Sequence, residues 1–361
     1  MSNPYDQLPP SAFWRPAVAE RHFSEIGPLW APKFDIRPDQ HVVTFGSCFA
    51  QHIGRALRQR GFRWLNTEPP PPTLPEADIR RFNYDSFSCR TGNIYTTSML
   101  FQWVKWALLD EPVPDELWEH EGRWFDPFRP AIEPDGFASA EEALRLRDVT
   151  VKAFRHALTS AHRFVFTLGL TECWRNKQHG YEYPLCPGTA AGTFDPEQHE
   201  FHNLDVYEVI QDLRETISLL REANGKLRIL LTVSPIPLVA TNSGQHVMVA
   251  TMESKSILRA AVSRLVRSRG DTDYFPSYEM INSPAMQGVF FAANRRQVSP
   301  MGVEFVMDRF FSCLEQRPSD GPAVSEPAQP AVEQPAQSST EESASETACE
   351  EELLAAFAPG S

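Results

Sequence analysis

The chain reads as an α/β protein built on a three-layer, doubly wound parallel sheet. Two observations predict this. Residues 163–168 and 227–233 are near-continuous apolar runs, as expected of central parallel strands covered on both faces. Such runs alternate along the chain with stretches of helical periodicity, the pattern of βα units joined by right-handed crossovers.

Taken in order, residues 42–45 form a short apolar strand. A helical pattern follows, with Phe49, Ile53, Ala56 and Leu57 on one face. Residues 61–65 predict a second strand, which runs into the loop Glu68-Pro69-Pro70-Pro71-Pro72, where neither helix nor central strand can persist. A helix rich in aromatics and leucine is predicted over 97–109, an irregular Pro- and Trp-rich insertion over 111–137, and a long helix over about 139–160. Further helices are expected at about 205–222, 252–268 and 301–314, with a last short strand beginning at Asp273. No internal repeat is visible. Residues 1–40 are expected to form an extension packed on the core, and 41–317 the α/β domain. Residues 318–361, rich in Pro, Ala, Glu, Gln and Ser, are expected to be a disordered acidic tail. Within that tail, Glu350-Glu351-Glu352-Leu353-Leu354-Ala355-Ala356-Phe357 joins an acidic run to an apolar cluster. It is either a docking motif for a protein partner or a solvated stretch.

The net charge of −13 is concentrated in the tail. Nine carboxylates and no Lys or Arg follow Arg317, which leaves the body near −4. A near-neutral body with an acidic tail gives no reason to expect nucleic-acid binding. There is no membrane-length apolar run, and the N-terminus lacks the basic start and apolar stretch of a signal peptide, so a cytoplasmic location is the expectation. The six cysteines (48, 89, 173, 186, 313 and 349) show neither a CxxC pair nor zinc-type spacing, so no metal site is expected.

In doubly wound sheets, ligands bind beyond the carboxyl ends of the strands. That directs attention to Gly46-Ser47-Cys48, to Gly169-Leu170-Thr171-Glu172 and to Ser234-Pro235-Ile236-Pro237. Ser47 lies directly between a strand and a helix, where a hydroxyl is exposed beside free helix N-terminal amides. It is either a nucleophile with an oxyanion site at hand or a helix N-cap. The local pattern is not GxSxG. Cys48 is a second candidate nucleophile.

The run Gly46-Ser47-Cys48-Phe49-Ala50 resembles the motif that names the GSCFA-domain family, itself similar to the SGNH (GDSL-type) esterases and lipases. The resemblance continues through Gly92-Asn93-Ile94-Tyr95, Thr167 to Trp174, Thr232-Val233-Ser234-Pro235 and Tyr274 to Glu279, covering most of residues 1–315. It implies a flavodoxin-like sheet, with Ser47 as nucleophile and an oxyanion site made by the Ser47 amide, Gly92 and Asn93. The bare Gly-Asn pair also reads as a turn. It further implies an ester hydrolase or O-acyltransferase acting on a small-molecule or carbohydrate ester, with no metal or organic cofactor.

The departure lies near the last helix. Related sequences carry Asp-x-x-His there, whereas here Asn294 and Gln297 stand at those positions, in Asn294-Arg295-Arg296-Gln297. Glutamine cannot take a proton from serine. Ten histidines occur, none after His246, so a relocated base is needed. His246, in a polar loop, is the leading candidate, with His199 and His202 next; His52 is expected to point away from Ser47. Glu172 could orient a histidine, act as base if burial raises its pKa, cap a helix, or pair with Arg175. Lys255 could activate the serine in a Ser-Lys dyad. Asn294, Gln297 and Arg295 are candidate substrate-binding residues, with Arg295 and Arg296 suited to a carboxylate or phosphate. The alternative function is a catalytically inactive relative that binds a ligand or acts as a scaffold.

Overall fold

The structure, a computed structural model, describes residues 3–316 and 349–358. In chain order the strands are β1 (Val42–Gly46), β2 (Trp118–His120), β3 (Arg123–Phe125), β4 (Arg163–Leu168), β5 (Glu172–Asn176), β6 (Glu182–Tyr183), β7 (His199–Asn203), β8 (Arg228–Val233) and β9 (Thr272–Phe275). The helices are α1 (Ala50–Gln59), α2 (Glu76–Arg81), α3 (Thr97–Leu108), α4 (Ala140–Ser160), α5 (Val206–Ala223), α6 (Val247–Arg267), α7 (Ser277–Asn282) and α8 (Pro300–Glu315).

The main sheet is parallel throughout, in the order β1-β4-β8-β9. Successive residues of each strand feed opposite cores, as the two-residue period of a strand requires. Phe164, Phe166, Ile229 and Leu231 pack under α3–α6, while Val165, Leu230 and Phe275 pack against α1, α7 and α8. Both faces are therefore covered, which is why these strands are continuously apolar. Ile26, Trp30, Phe34 and Ile36 complete the second core ahead of β1, with Trp30 stacked on Phe310 and its indole N–H donating to Asp273.

The structure departs from expectation in four places. The strand predicted over 61–65 is reduced to one parallel bridge, Val42 to Trp64, on the outer edge of β1. Even so, this bridge gives the flavodoxin-like order, with the edge segment and β4 on opposite sides of β1. The insertion at 111–137 is irregular only in part: it holds the antiparallel β2–β3 hairpin, to which Phe137 adds a bridge from Trp124. Glu172 stands on a strand, because β6-β5-β7 form a small antiparallel sheet outside the main one. Finally, α6 begins at Val247 rather than at 252.

Of the tail, residues 317–348 and 359–361 lie outside the described residues, and the expectation of disorder there falls with them. Cys349 to Ala358 does not follow the expectation of a solvated stretch. Glu350–Phe357 is a 3-10 helix whose first two glutamates are buried against the body.

Gly46 closes β1 with φ at +127°. A β-carbon there would lie 2.3 Å from the Thr167 carbonyl oxygen, because β1 and β4 converge at this point. Gly46→Ala combines a backbone strain with a clash that no side-chain rotation relieves. It should cost about 3 kcal/mol of stability, measured by urea unfolding.

Candidate functional site

The site lies at the carboxyl ends of β1 and β4, the switch point of the sheet. Ser47 follows Gly46 directly and is buried. It is not the N-cap of α1, a position held by Phe49 without any side-chain cap. Its amide donates to the Thr167 carbonyl at 3.0 Å, so the expected oxyanion role of that amide is excluded by β-type pairing to β4. Among the described residues its hydroxyl oxygen has no hydrogen-bond partner. Burying a hydroxyl unpaired costs about 1–3 kcal/mol, and such orphans concentrate where a protein does chemistry.

The loop with Gly92 and Asn93 lies against this junction. The Ile94 amide donates to the Gly46 carbonyl at 2.9 Å, and the Gly169 and Leu170 amides both donate to the Tyr95 carbonyl. Behind the loop, the Arg129 guanidinium donates to the Arg90 carbonyl and to Thr150, and pairs with buried Asp126, which also holds Arg147. Burial would raise the Asp126 carboxyl, but the two guanidiniums hold it below the usual range. The insertion thus braces the loop from behind. Gly92 has φ +68°, and a β-carbon on it would come within 3.0 Å of the Glu350 carboxylate.

That carboxylate fills the site. Glu350 accepts from the Asn93 side-chain amide, from the Tyr95 hydroxyl at 3.0 Å, and from the Asn93 backbone amide. Its neighbours follow suit. Glu351 faces Arg296 at 3.6 Å and is attracted by Lys255 as well, while Glu352 accepts from Gln297 at 2.9 Å and from Arg296 at 3.4 Å. The Cys349 thiol contacts that of Cys48 as a hydrogen-bond partner. This contact, followed by burial, pushes the Cys48 thiol up, the opposite of what a nucleophilic cysteine needs. Burial raises both Glu350 and Glu351 above the usual carboxylate range.

Lys255, on α6, is buried and donates to the Gly169 carbonyl. A β-carbon at Gly169 would meet the Ser47 β-carbon at 3.0 Å, so lysine and serine abut the same residue. Desolvation brings Lys255 down to about 8.

The other candidates are engaged elsewhere. His246 is exposed and caps α6, its Nδ1 accepting the Met248 amide at 3.2 Å, so the structure does not bring it to Ser47. His199 accepts the Asp195 amide, and His202 pairs with Glu208. His52 makes no hydrogen bond to Ser47 among the described residues and lines a cleft with Cys48 and Arg296; desolvation takes it down to about 3, a poor proton acceptor. Glu172 neither caps a helix nor pairs with Arg175. It accepts from the Thr241 hydroxyl and the Asn242 amide, with burial raising its pKa. Asn294 is exposed and folds a turn by accepting the Arg296 and Gln297 amides. Arg295, at φ +55°, is also exposed; the guanidinium that reaches the site is that of Arg296. Tyr95, two residues after Asn93 in the same motif, is a donor to which the sequence pattern assigns no role.

Two clefts adjoin the site. One of about 480 Å³ has Cys48, His52, Arg296 and Gln297 in its walls; the other, of about 450 Å³, is lined by Leu170, Glu172, Trp174 and Leu238 among others. Cys349 and Glu352 wall the first, and Glu351, Leu354 and Phe357 the second, so the tail segment partitions them. Among the described residues, no cluster of His, Cys, Asp and Glu could hold a metal ion, and no helix is long and apolar enough to cross a membrane.

Fold and site together define an α/β protein with a buried serine at the carboxyl end of the first strand of a parallel sheet, beside a loop whose Asn93 and Tyr95 hold the Glu350 carboxylate. Residues 41–310 match the GSCFA family, and the chain belongs to it. Among curated proteins, none matches the chain.

Proposed function

We propose that the chain is a serine ester hydrolase or O-acyltransferase of SGNH-like type, in which Lys255 replaces the missing histidine as base. The observation that carries this reading is the Glu350 carboxylate, held by the Asn93 side chain, the Asn93 amide and the Tyr95 hydroxyl beside the Ser47 turn. A carboxylate is the acid product of ester cleavage, and donors that hold its oxygen can also hold the oxyanion of the tetrahedral intermediate.

In this mechanism the Ser47 oxygen attacks the ester carbonyl and its proton passes to Lys255 Nζ. The carbonyl oxygen gains the negative charge and is held by Asn93 and Tyr95. Collapse breaks the bond to the alcohol, which leaves with the proton from Lys255. Water, or an acceptor hydroxyl, then attacks the acyl-serine with Lys255 again as base. A lysine near 8 is suited to this, because a useful fraction is neutral near physiological pH while its conjugate acid still protonates an alkoxide. Carbohydrate O-acyl esters form the first substrate panel, on the superfamily resemblance.

A second reading, a binding protein without chemistry, is favoured by the unpartnered Ser47 hydroxyl and by Gln297 at the position of the base. Fluorophosphonate labelling with mapping by mass spectrometry separates the two. Adduct on Ser47, absent from Ser47→Ala, is the expected result; absence of label between pH 7 and about 9, where Lys255 turns neutral, on both the folded full chain and a folded chain ending at Gln316 would rule out the enzyme.

A further inference from the structure

We infer that the cleft whose donors are Asn93, Tyr95, Lys255 and Arg296, beside the Ser47 turn, is a receptor for an acidic peptide chain, in which consecutive carboxylates are followed by leucine and aromatic side chains, and that Cys349 to Ala358 occupies it as a tethered competitor. This deepens the proposed function by naming what the same site binds, and it does not require the chemistry.

The argument begins with cost. Glutamates are almost never buried without partners, since desolvating a carboxylate is expensive. Yet Glu350 and Glu351 are 5% and 8% exposed. General electrostatics do not draw them in, because the body they dock on is itself slightly negative. The attraction is local and specific. The Glu350 side chain has three donors, Glu351 faces the Arg296 guanidinium and the Lys255 ammonium, and Glu352 meets Gln297 and Arg296. The peptide backbone is read too, since the Glu351 amide donates to the Tyr95 hydroxyl at 3.4 Å.

Beyond the acids, Leu354 and Phe357 line a groove with Trp174, Phe194, Phe201 and Leu238. The cleft therefore sorts a chain by pattern, with acids at Asn93, Tyr95, Arg296 and Gln297 and apolar residues along the groove. The gap at Gly92, where a β-carbon would crowd the Glu350 carboxylate, is the same requirement seen from the receptor side. A tethered ligand acts at an effective concentration on the order of millimolar, so the segment competes with any free peptide of the same kind.

The test is fluorescence anisotropy with a labelled peptide of residues 349–358. Three proteins are compared: the full chain, the full chain with Glu350→Ala and Glu351→Ala, and a chain ending at Gln316. The last should fold, because none of residues 349–358 belongs to a hydrophobic core. We expect the peptide to bind the shortened chain at least about tenfold more tightly than the full chain, with the double variant between them. A peptide carrying two alanines, which lack the acceptors that Asn93, Tyr95 and Arg296 hold, should bind the shortened chain at least about tenfold more weakly than the natural one. Absence of saturable binding to both the shortened and the double-variant chains overturns the inference, as does equal binding of the alanine peptide. Peptide binding without Ser47 labelling would keep this inference and dismiss the enzyme; labelling without peptide binding would do the reverse.

Discussion

Lys255→Met is expected to slow fluorophosphonate labelling of Ser47 by about 10²–10⁴-fold, the usual contribution of a general base, and to raise stability at pH 7 in the same step. The two effects share one cause. Burial depresses Lys255 from 10.5 to about 8, so below pH 8 the folded protein carries a cation that the unfolded chain would hold at less cost. The sign follows from proton counts. Between pH 8 and 10.5 the unfolded state binds the proton and the folded state has released it, so stability rises with pH across that window. The cost is fully present below pH 8, on the order of 3 kcal/mol, and is relieved by pH 10.5. Methionine fills similar volume without a charge, but it loses the bond to the Gly169 carbonyl, worth about 1 kcal/mol. The variant should therefore be more stable than the natural chain by about 2 kcal/mol at pH 7, with the gap closing toward pH 10.5, read from urea unfolding at both pH values. A variant that is less stable at pH 7 would show that Lys255 is a structural cation held by Glu351. One that labels as fast as the natural chain would remove it from the mechanism.

The contrast between Lys255 and His246 shows what the sequence discloses. His246 drew attention as a histidine in a polar loop at the right sheet edge. In the structure the loop ends there and the ring becomes a helix cap, an uncommon use of histidine that also hid the first turn of α6. Lys255 carried a readable signal: it stands three and seven residues before Leu258 and Val262, in phase with the buried face of α6. A lysine on that phase is a buried lysine. The parallel strands and the large helices were legible for the same reason, because each lies between two cores and its apolar pattern is set by burial. The β5–β7 sheet was not, because His199-Glu200-Phe201-His202-Asn203 is mostly polar and pairs at the periphery. Gly46, Ser47, Gly92 and Asn93 could be singled out as pieces, but their meeting depends on the Tyr95 and Gly46 carbonyl contacts, which span distant segments. The tail was least legible. Its composition is that of a solvated chain, and what docks it is a set of donors spread over residues 93, 95, 255, 296 and 297.

The docked tail should make the site pH-gated in a way that its removal exposes. Glu350 faces Asn93 and Tyr95; Glu351 faces Arg296, Lys255, Glu172, Glu350 and, across the cleft, the thiol of Cys48. Burial raises both carboxyls, so the docked segment binds more protons than the released one. Docking is then firmest at low pH and is lost as pH rises through the docked values. Lys255 works in the same direction, since it ceases to attract Glu351 as it turns neutral around 8. Labelling of Ser47 in the full chain should consequently climb with pH for two reasons, tail release and lysine deprotonation, whereas the chain ending at Gln316 keeps only the second. Across a titration from acid to mildly alkaline pH, the ratio of the two rates, shortened over full, is expected to fall as pH rises, by up to about tenfold per pH unit for each proton lost on release. Measured across that range, a ratio that stays flat means the tail docks without proton uptake. A ratio of one throughout means that it does not obstruct the serine at all. Because the base and the plug are switched by the same rise in pH, only this comparison separates a serine that is unactivated from one that is merely covered.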